Sequence, residues 1–249
     1  MNKKEWPMLL FPISVFAMIA LILILLFVPD MSNTLINTVP EYPPELGTID
    51  SNETLISDAV TVDRTNIRNL VAAMRRPSEY FSETQSILSH SKGSATYLRK
   101  TWVKGSLTRI DSVSSSGTVS DRRIYSDDYV YVWTPNNRSY YKTARGDFHP
   151  DDDRMMMHYE DIINSDDEDI VTAQLTMYDG VSCIYAEIKR PQSGYTERYW
   201  ISVSTGLLVH GQTLNKEGSV IYSITATQTD ISTQGTDLFI LPDGEYVTE

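Results

Sequence analysis

From Pro77 to the C-terminus the chain alternates polar and apolar residues with a period of two, in short runs broken by turn residues. This pattern constrains the fold more than any other feature. The runs cover residues 80–88, 94–104, 107–113, 122–126, 129–133, 139–143, 170–178, 181–189, 196–203, 207–214 and 220–230. Period two is the signature of a strand with one buried face. The separators are Lys92-Gly93, Ser116-Gly117, Asp127-Asp128, Asp179-Gly180, Ser193-Gly194, Thr205-Gly206 and Glu217-Gly218, which is hairpin chemistry. About eleven strands joined by such turns form an antiparallel meander. A sheet of that width must curl or close to bury one face.

A helical pattern precedes the strands. Ile67, Leu70, Val71 and Met74 repeat at i, i+3, i+4 and i+7, with Asp63 or Thr65 placed to cap and Pro77 placed to stop. Arg64, Arg68, Arg75 and Arg76 take the other faces, as on a solvated helix. The predicted fold is mainly β with an N-terminal helix, a curved antiparallel half-barrel of about eleven strands wrapped on that helix. One transmembrane helix is expected before it. The strand series is interrupted by residues 146–169, which hold Asp151–Asp153, Met155–Met157 and Asp166–Asp169. A short helix is expected within residues 155–163.

Residues 8–28, opening on Met8 and closing on Val28, contain no charge. A helix of that length spans roughly 31 Å, the thickness of a hydrocarbon core. Lys3 and Lys4 precede it and Asp30 follows it, which orients the N-terminus to the cytoplasm. The apolar core is longer than that of a cleaved signal peptide and ends on Phe27-Val28-Pro29-Asp30 with no small-x-small site. The single cysteine, Cys183, is too distant for an N-terminal lipid anchor and cannot form an intrachain disulfide. The expectation is an uncleaved signal anchor (residues 1–29), an extended linker rich in proline (30–60) and one exported β domain (61–249). The net charge is −12. Removing Lys3, Lys4 and Glu5 from the totals of 21 and 33 leaves 19 basic and 32 acidic residues outside, a net −13. Such a surface lacks the basic patches that nucleic-acid binding needs.

Candidate chemistry is sparse. His90, His149, His158 and His210 show no metal-ligand spacing. His149, Asp151, Asp153 and His158 could together form a metal site, but an acidic solvated loop is the expectation. Cys183 sits in a strand pattern with no base beside it and reads as a buried structural thiol. There is no nucleophile elbow, phosphate loop or dinucleotide fingerprint, so neither an enzyme nor a cofactor is expected. The aromatics are more informative. Tyr129, Tyr131 and Trp133 share one strand face, Trp102 shares a face with Leu98, and Trp200 is mid-strand. Trp102, Tyr131, Trp133 and Trp200, with Met156 as part of an adaptable lid, are the candidate lining of an apolar cavity. The alternative is that they fill the core against the helix.

Three segments resemble the half-barrel family of the lipoprotein carriers LolA and LolB and the regulator RseB. They are the helix followed by a strand with Tyr80 and Phe81, the strand–turn–strand run Tyr199-Trp200-Ile201-Ser202-Val203-Ser204-Thr205-Gly206-Leu207, and the closing run Asp237-Leu238-Phe239-Ile240-Leu241-Pro242-Asp243-Gly244-Glu245-Tyr246. The resemblance implies a cavity that holds a lipid or lipoprotein, or else a protein-binding regulator or scaffold of the RseB or GerS kind. A metal-dependent hydrolase is a more distant reading. An anchored chain would not shuttle across an envelope, which fits a tethered binding protein in a Gram-positive-type envelope.

Overall fold

The computed structural model describes residues 61–146, 149–150 and 156–248. The expected membrane anchor (residues 1–29) and the expected linker (30–60) both lie outside them. Among the described residues there is a short helix α1 (Ile67–Ala73), then β1 (Glu79–His90), β2 (Gly93–Lys104), β3 (Leu107–Val113), β4 (Val119–Tyr125), β5 (Tyr129–Trp133) and β6 (Tyr141–Ala144). A short helix α2 (Glu160–Ile163) follows. Next come β7 (Ile170–Tyr178), β8 (Val181–Arg190), β9 (Tyr195–Ser202), β10 (Leu208–Leu214), β11 (Val220–Asp230) and a 3-10 turn (Thr236–Phe239).

All eleven strands form one curved, open antiparallel sheet. Its order is β6-β5-β4-β3-β2-β1-β11-β10-β9-β8-β7. This departs from a simple meander. Two meanders, β1–β6 and β7–β11, are joined through their first and last strands. The β1–β11 ladder runs from Phe81↔Asp230 to Leu88↔Tyr222, with a bulge at Glu83/Thr84. Residues 145–169, which connect β6 to β7, therefore link the two outer edges. Short turns fix the pairing of hairpin neighbours, but this long connection leaves its two strands free to separate.

The register assigns the faces. On the β7–β10 half, Ile184 pairs with Ile201 and Ala186 with Tyr199, and Gly211 lies opposite Tyr199 on the other side. These residues face α1. Ile67, Leu70, Val71 and Met74 of the helix region form one buried cluster with Ile162, Ile170, Ile184, Ala186, Ile188, Tyr199 and Ile201. Fully burying an aliphatic side chain of this kind contributes about 1.5–3 kcal/mol. Polar side chains close the edges of the cluster. Arg68 donates from Nε to the Ile163 carbonyl at 2.9 Å, tying α1 to α2. Tyr199 O–H and Arg190 Nε both donate to Glu197 Oε2, at 2.8 and 2.7 Å.

Helix α1 ends at Ala73, short of Pro77, because Met74 is extended (ψ 132°). Arg76 then folds back to donate to the Met74 carbonyl at 3.2 Å, and its guanidinium lies 3.2 Å above the Tyr159 ring. At the N-terminal end, Asp63 Oδ1 accepts from the Thr65 N–H at 2.8 Å in the turn before the helix.

The β9–β10 turn touches this region. Gly206 has φ +68°, and a Cβ there would stand 2.8 Å from the Arg75 carbonyl oxygen. Gly117, φ +82°, has open space around it. An L-residue in this backbone region costs about 1–2 kcal/mol, and overpacking adds about 1–3 kcal/mol. Gly206→Ala should therefore lower the unfolding free energy by clearly more than Gly117→Ala. Urea titrations of the two variants check this, and equal losses would remove the wedge from the account.

Candidate functional site

On the face opposite α1, the cross-strand row Phe81–Trp102–Arg109–Ile124–Tyr131–Lys142 runs from β1 to β6. Phe81 and Trp102 have ring centroids 5.2 Å apart, and the Arg109 guanidinium lies 5.1 Å from the Trp102 ring. The Lys142 ammonium is 3.8 Å from the Tyr129 ring and 5.2 Å from that of Tyr131. Its hydrogen bond to Tyr131 holds it above the ordinary lysine range. The C-terminal segment covers this row. Phe239, Leu241 and Val247 are buried with Leu107, Ile124, Tyr131 and Trp133, and Trp102, Tyr140 and Leu238 pack against them.

A buried ion cluster fastens that cover. Asp111 accepts from Arg109 Nε at 2.8 Å and Nη2 at 2.9 Å, and from Arg122 Nε at 3.1 Å. The remaining Arg109 nitrogen, Nη1, donates to the Leu238 carbonyl at 2.8 Å. Arg109 and Asp111 alternate on one strand face, so a charged pair at i, i+2 within an apolar run was the available sequence signal.

A second aromatic group lies on the same face of the other half. Its cross-strand row is Tyr185–Trp200–His210–Thr225. Tyr178 stacks on His210 at 4.5 Å and 13° and stands 5.6 Å from Trp200. Trp200 is 4.9 Å from both Tyr185 and His210. His210 is buried, shares a 2.8 Å hydrogen bond between Nδ1 and Thr225 Oγ1, and is held below its ordinary value by burial. Cys183 is fully buried nearby, and burial pushes its thiol up to about 11. That is a poor nucleophile.

The sequence candidates therefore fall into separate places. Trp102, Tyr131 and Trp133 meet in one cluster beneath the C-terminal segment. Trp200 is on the same sheet face but in the second aromatic group, with β1 and β11 between the two. Met156 stands half-buried in the stretch leading to α2, and its neighbour Met157 packs on the helix-side core. Tyr178, Tyr185 and His210 were missed because the cross-strand row that joins Tyr185 and His210 to Trp200, and the stacking of Tyr178 on it, follow from register, which single runs do not disclose. The His149 and His158 rings are 5.7 Å apart. Among the described residues no three potential ligands gather as a metal site.

Two cavities stand out among the described residues. One, about 320 Å³, is walled by Tyr80, Val103, Thr108, Asp127, Arg145 and His149. The other, about 250 Å³, lies between the tyrosines around Lys142 and the C-terminal segment, with Asp128 and Glu245 in its wall. Both carry charged side chains.

No protein-family model matches the chain, and no curated protein does. Solved structures do. An uncharacterised conserved protein from Thermus thermophilus is 8% identical over 74% of this chain and 90% of its own, with a TM-score of 0.42. MucB of Pseudomonas aeruginosa, an RseB-type protein solved with MucA, is 14% identical over 75% of this chain, with a TM-score of 0.48. The match spans 64% of that longer protein. A LolA superfamily protein from Nitrosomonas europaea is 10% identical over 72% of this chain and 97% of its own, with a TM-score of 0.34. The chain is similar in fold to LolA- and RseB-type proteins. At these identities and TM-scores the likeness is one of architecture alone.

Two outcomes follow from the local chemistry. Removing one partner of a buried ion pair costs about 3–5 kcal/mol. Asp111→Ala should lose stability on that scale and red-shift Trp102 emission as the C-terminal cover loosens, read by denaturation and fluorescence. For His210, the unfolded chain takes up a proton near the ordinary value of 6.5 while the folded chain resists it to lower pH. Its contribution is thus complete above about 6.5 and declines as pH falls from there toward the folded value. His210→Gln should show a shallower loss of stability between neutral and mildly acidic pH than the parent.

Proposed function

We propose that the chain is a membrane-anchored, extracytoplasmic binding protein whose β domain engages another protein of the cell envelope and carries out no chemistry of its own. One observation carries this reading. Large parts of both sheet faces are already occupied by the chain's own segments, α1 and α2 on one side and residues 236–247 on the other. The cavities of about 320 and 250 Å³ lie at or below the low end for small-molecule sites, and their walls are charged where an acyl chain would need apolar ones. Rigid folded surfaces and edges suit contact with a polypeptide. The uncharged run of residues 8–28 supports the anchor, and Lys3 and Lys4 before it support an exported domain.

The test uses the full-length chain, solubilised from the membranes of its own host after cross-linking. A protein recovered in stoichiometric amount is the expected result. Uptake of a fluorescent fatty-acyl probe by delipidated protein, with a matching change in tryptophan emission and no protein partner, would replace this reading with a lipid-holding one.

A further inference from the structure

The sheet has two outer edges, and they differ. β6 is four residues long and carries Lys142 in its centre. β7 has nine residues, Ile-Val-Thr-Ala-Gln-Leu-Thr-Met-Tyr, with no charge and no proline. Its single irregularity against β8 is at Ile170/Thr172, and from Thr172↔Glu187 to Tyr178↔Val181 the register is continuous. Proteins usually blunt such an edge with a charge, a proline, a bulge or a cover. Ile170 and Ala173 are buried under the helix-side core, but Leu175 and Met177 are 49% and 60% exposed on that face, beyond the cover. Among the described residues no strand pairs with the outer edge of β7, which stands beside an apolar margin.

We propose that the outer edge of β7 is the docking site of an extended, uncharged segment of the partner protein, a segment followed by basic residues; this rests on the protein-binding reading above. An added strand supplies main-chain hydrogen bonds and places alternate side chains beside Leu175 and Met177. Charge selects the occupant. Asp166, Glu168 and Asp169 stand at the start of β7, while Asp167 is already paired with Arg68 at 2.9 Å. Asp179 stands at its end. A second copy, paired antiparallel about a two-fold axis, would set each acidic run against the other copy's Asp179 and join two chains of net charge −12. The chain's own residues 30–60 hold Asp30, Glu41, Glu45, Asp50, Glu53 and Asp58 and no basic residue, so they too are repelled. An antiparallel partner strand followed by lysine or arginine brings opposite charge to the acidic run.

The probe is a fluorescein-labelled peptide of three Thr-Val repeats ending in three lysines, titrated against the full-length chain by anisotropy. Saturable binding is expected. The peptide with the lysines placed first should bind about threefold more weakly. Neutralising the run in Asp166→Asn, Glu168→Gln, Asp169→Asn should erase that difference. Leu175→Lys with Met177→Lys, both exposed positions whose folding is checked by circular dichroism, should weaken binding roughly tenfold. Absence of saturable binding, or binding unchanged in the lysine variant, would overturn the proposal. Self-association of the parent that the lysine variant abolishes would assign the edge to a second copy instead. If the lysine variant still captures the membrane partner, the edge assignment fails while the protein-binding reading stands. If neither chain captures one, that reading fails itself.

Discussion

The β1–β11 ladder is the contact on which the rest of the structure depends. Its strands lie at opposite ends of the domain sequence, and no turn brings them together. Without it there would be two separate meanders, each with a short sheet and an uncovered face. With it, the α1 cluster at β7–β9 and the C-terminal cover at β2–β5 belong to one sheet. The cost is loop-closure entropy over nearly the whole domain, which must be met before the contact gives anything back. The compensation is packing on both sides of the seam rather than at it.

The seam itself is polar. On the helix side, β1 and β2 bury Ser82, Thr84, Ser86 and Thr101. The Tyr222 hydroxyl from β11 donates to Ser86 Oγ at 3.2 Å. The apolar clusters lie away from this strip, one over β7–β9 and one formed by Ile110, Tyr125 and Val130 on β3–β5. Small hydroxyl-bearing residues have no bulk to fill a wide interior, so the two halves build their cores independently. This explains why the sheet needs different covering segments on its two halves.

Much of this was legible in the chain. Glycines at the turns mark where strands end, and several take positive φ because the hairpins require it. That is why the runs 107–113, 129–133, 170–178 and 220–230 coincide with β3, β5, β7 and β11. The segments that resemble the half-barrel family also have physical roles. Gly206 is wedged under the Arg75 carbonyl, and Phe239 and Leu241 are buried in the C-terminal cover. Alternation also placed Tyr131 and Trp133 on one face. It did not say which face, or what would cover it. β1 shows why: its buried positions are serine and threonine while Phe81 and Ile87 are only half-buried. Hydrophobicity read along β1 alone points to the wrong side. The β1–β11 pairing was equally hidden, since nothing local encodes a contact between distant strands.

The same packing accounts for the sheet remaining open. Closing it would require β6 to pair with β7, four residues against nine, across a connection that carries α2 into the helix-side core. A closed barrel of eleven strands would also enclose more space than side chains alone fill, since about eight strands give an interior just wide enough for that. Here one face carries the helices over β7–β9 and the other carries the C-terminal segment over β2–β5, so closure in either sense would displace a segment that already stabilises the sheet. Among the described residues, an open sheet with part of each face occupied keeps one further capacity, the backbone groups of its outer strands. Lys142 places a charge at the middle of β6, between tyrosine rings. β7 has no corresponding charge, and its exposed margin is the asymmetry that the fold itself leaves unexplained.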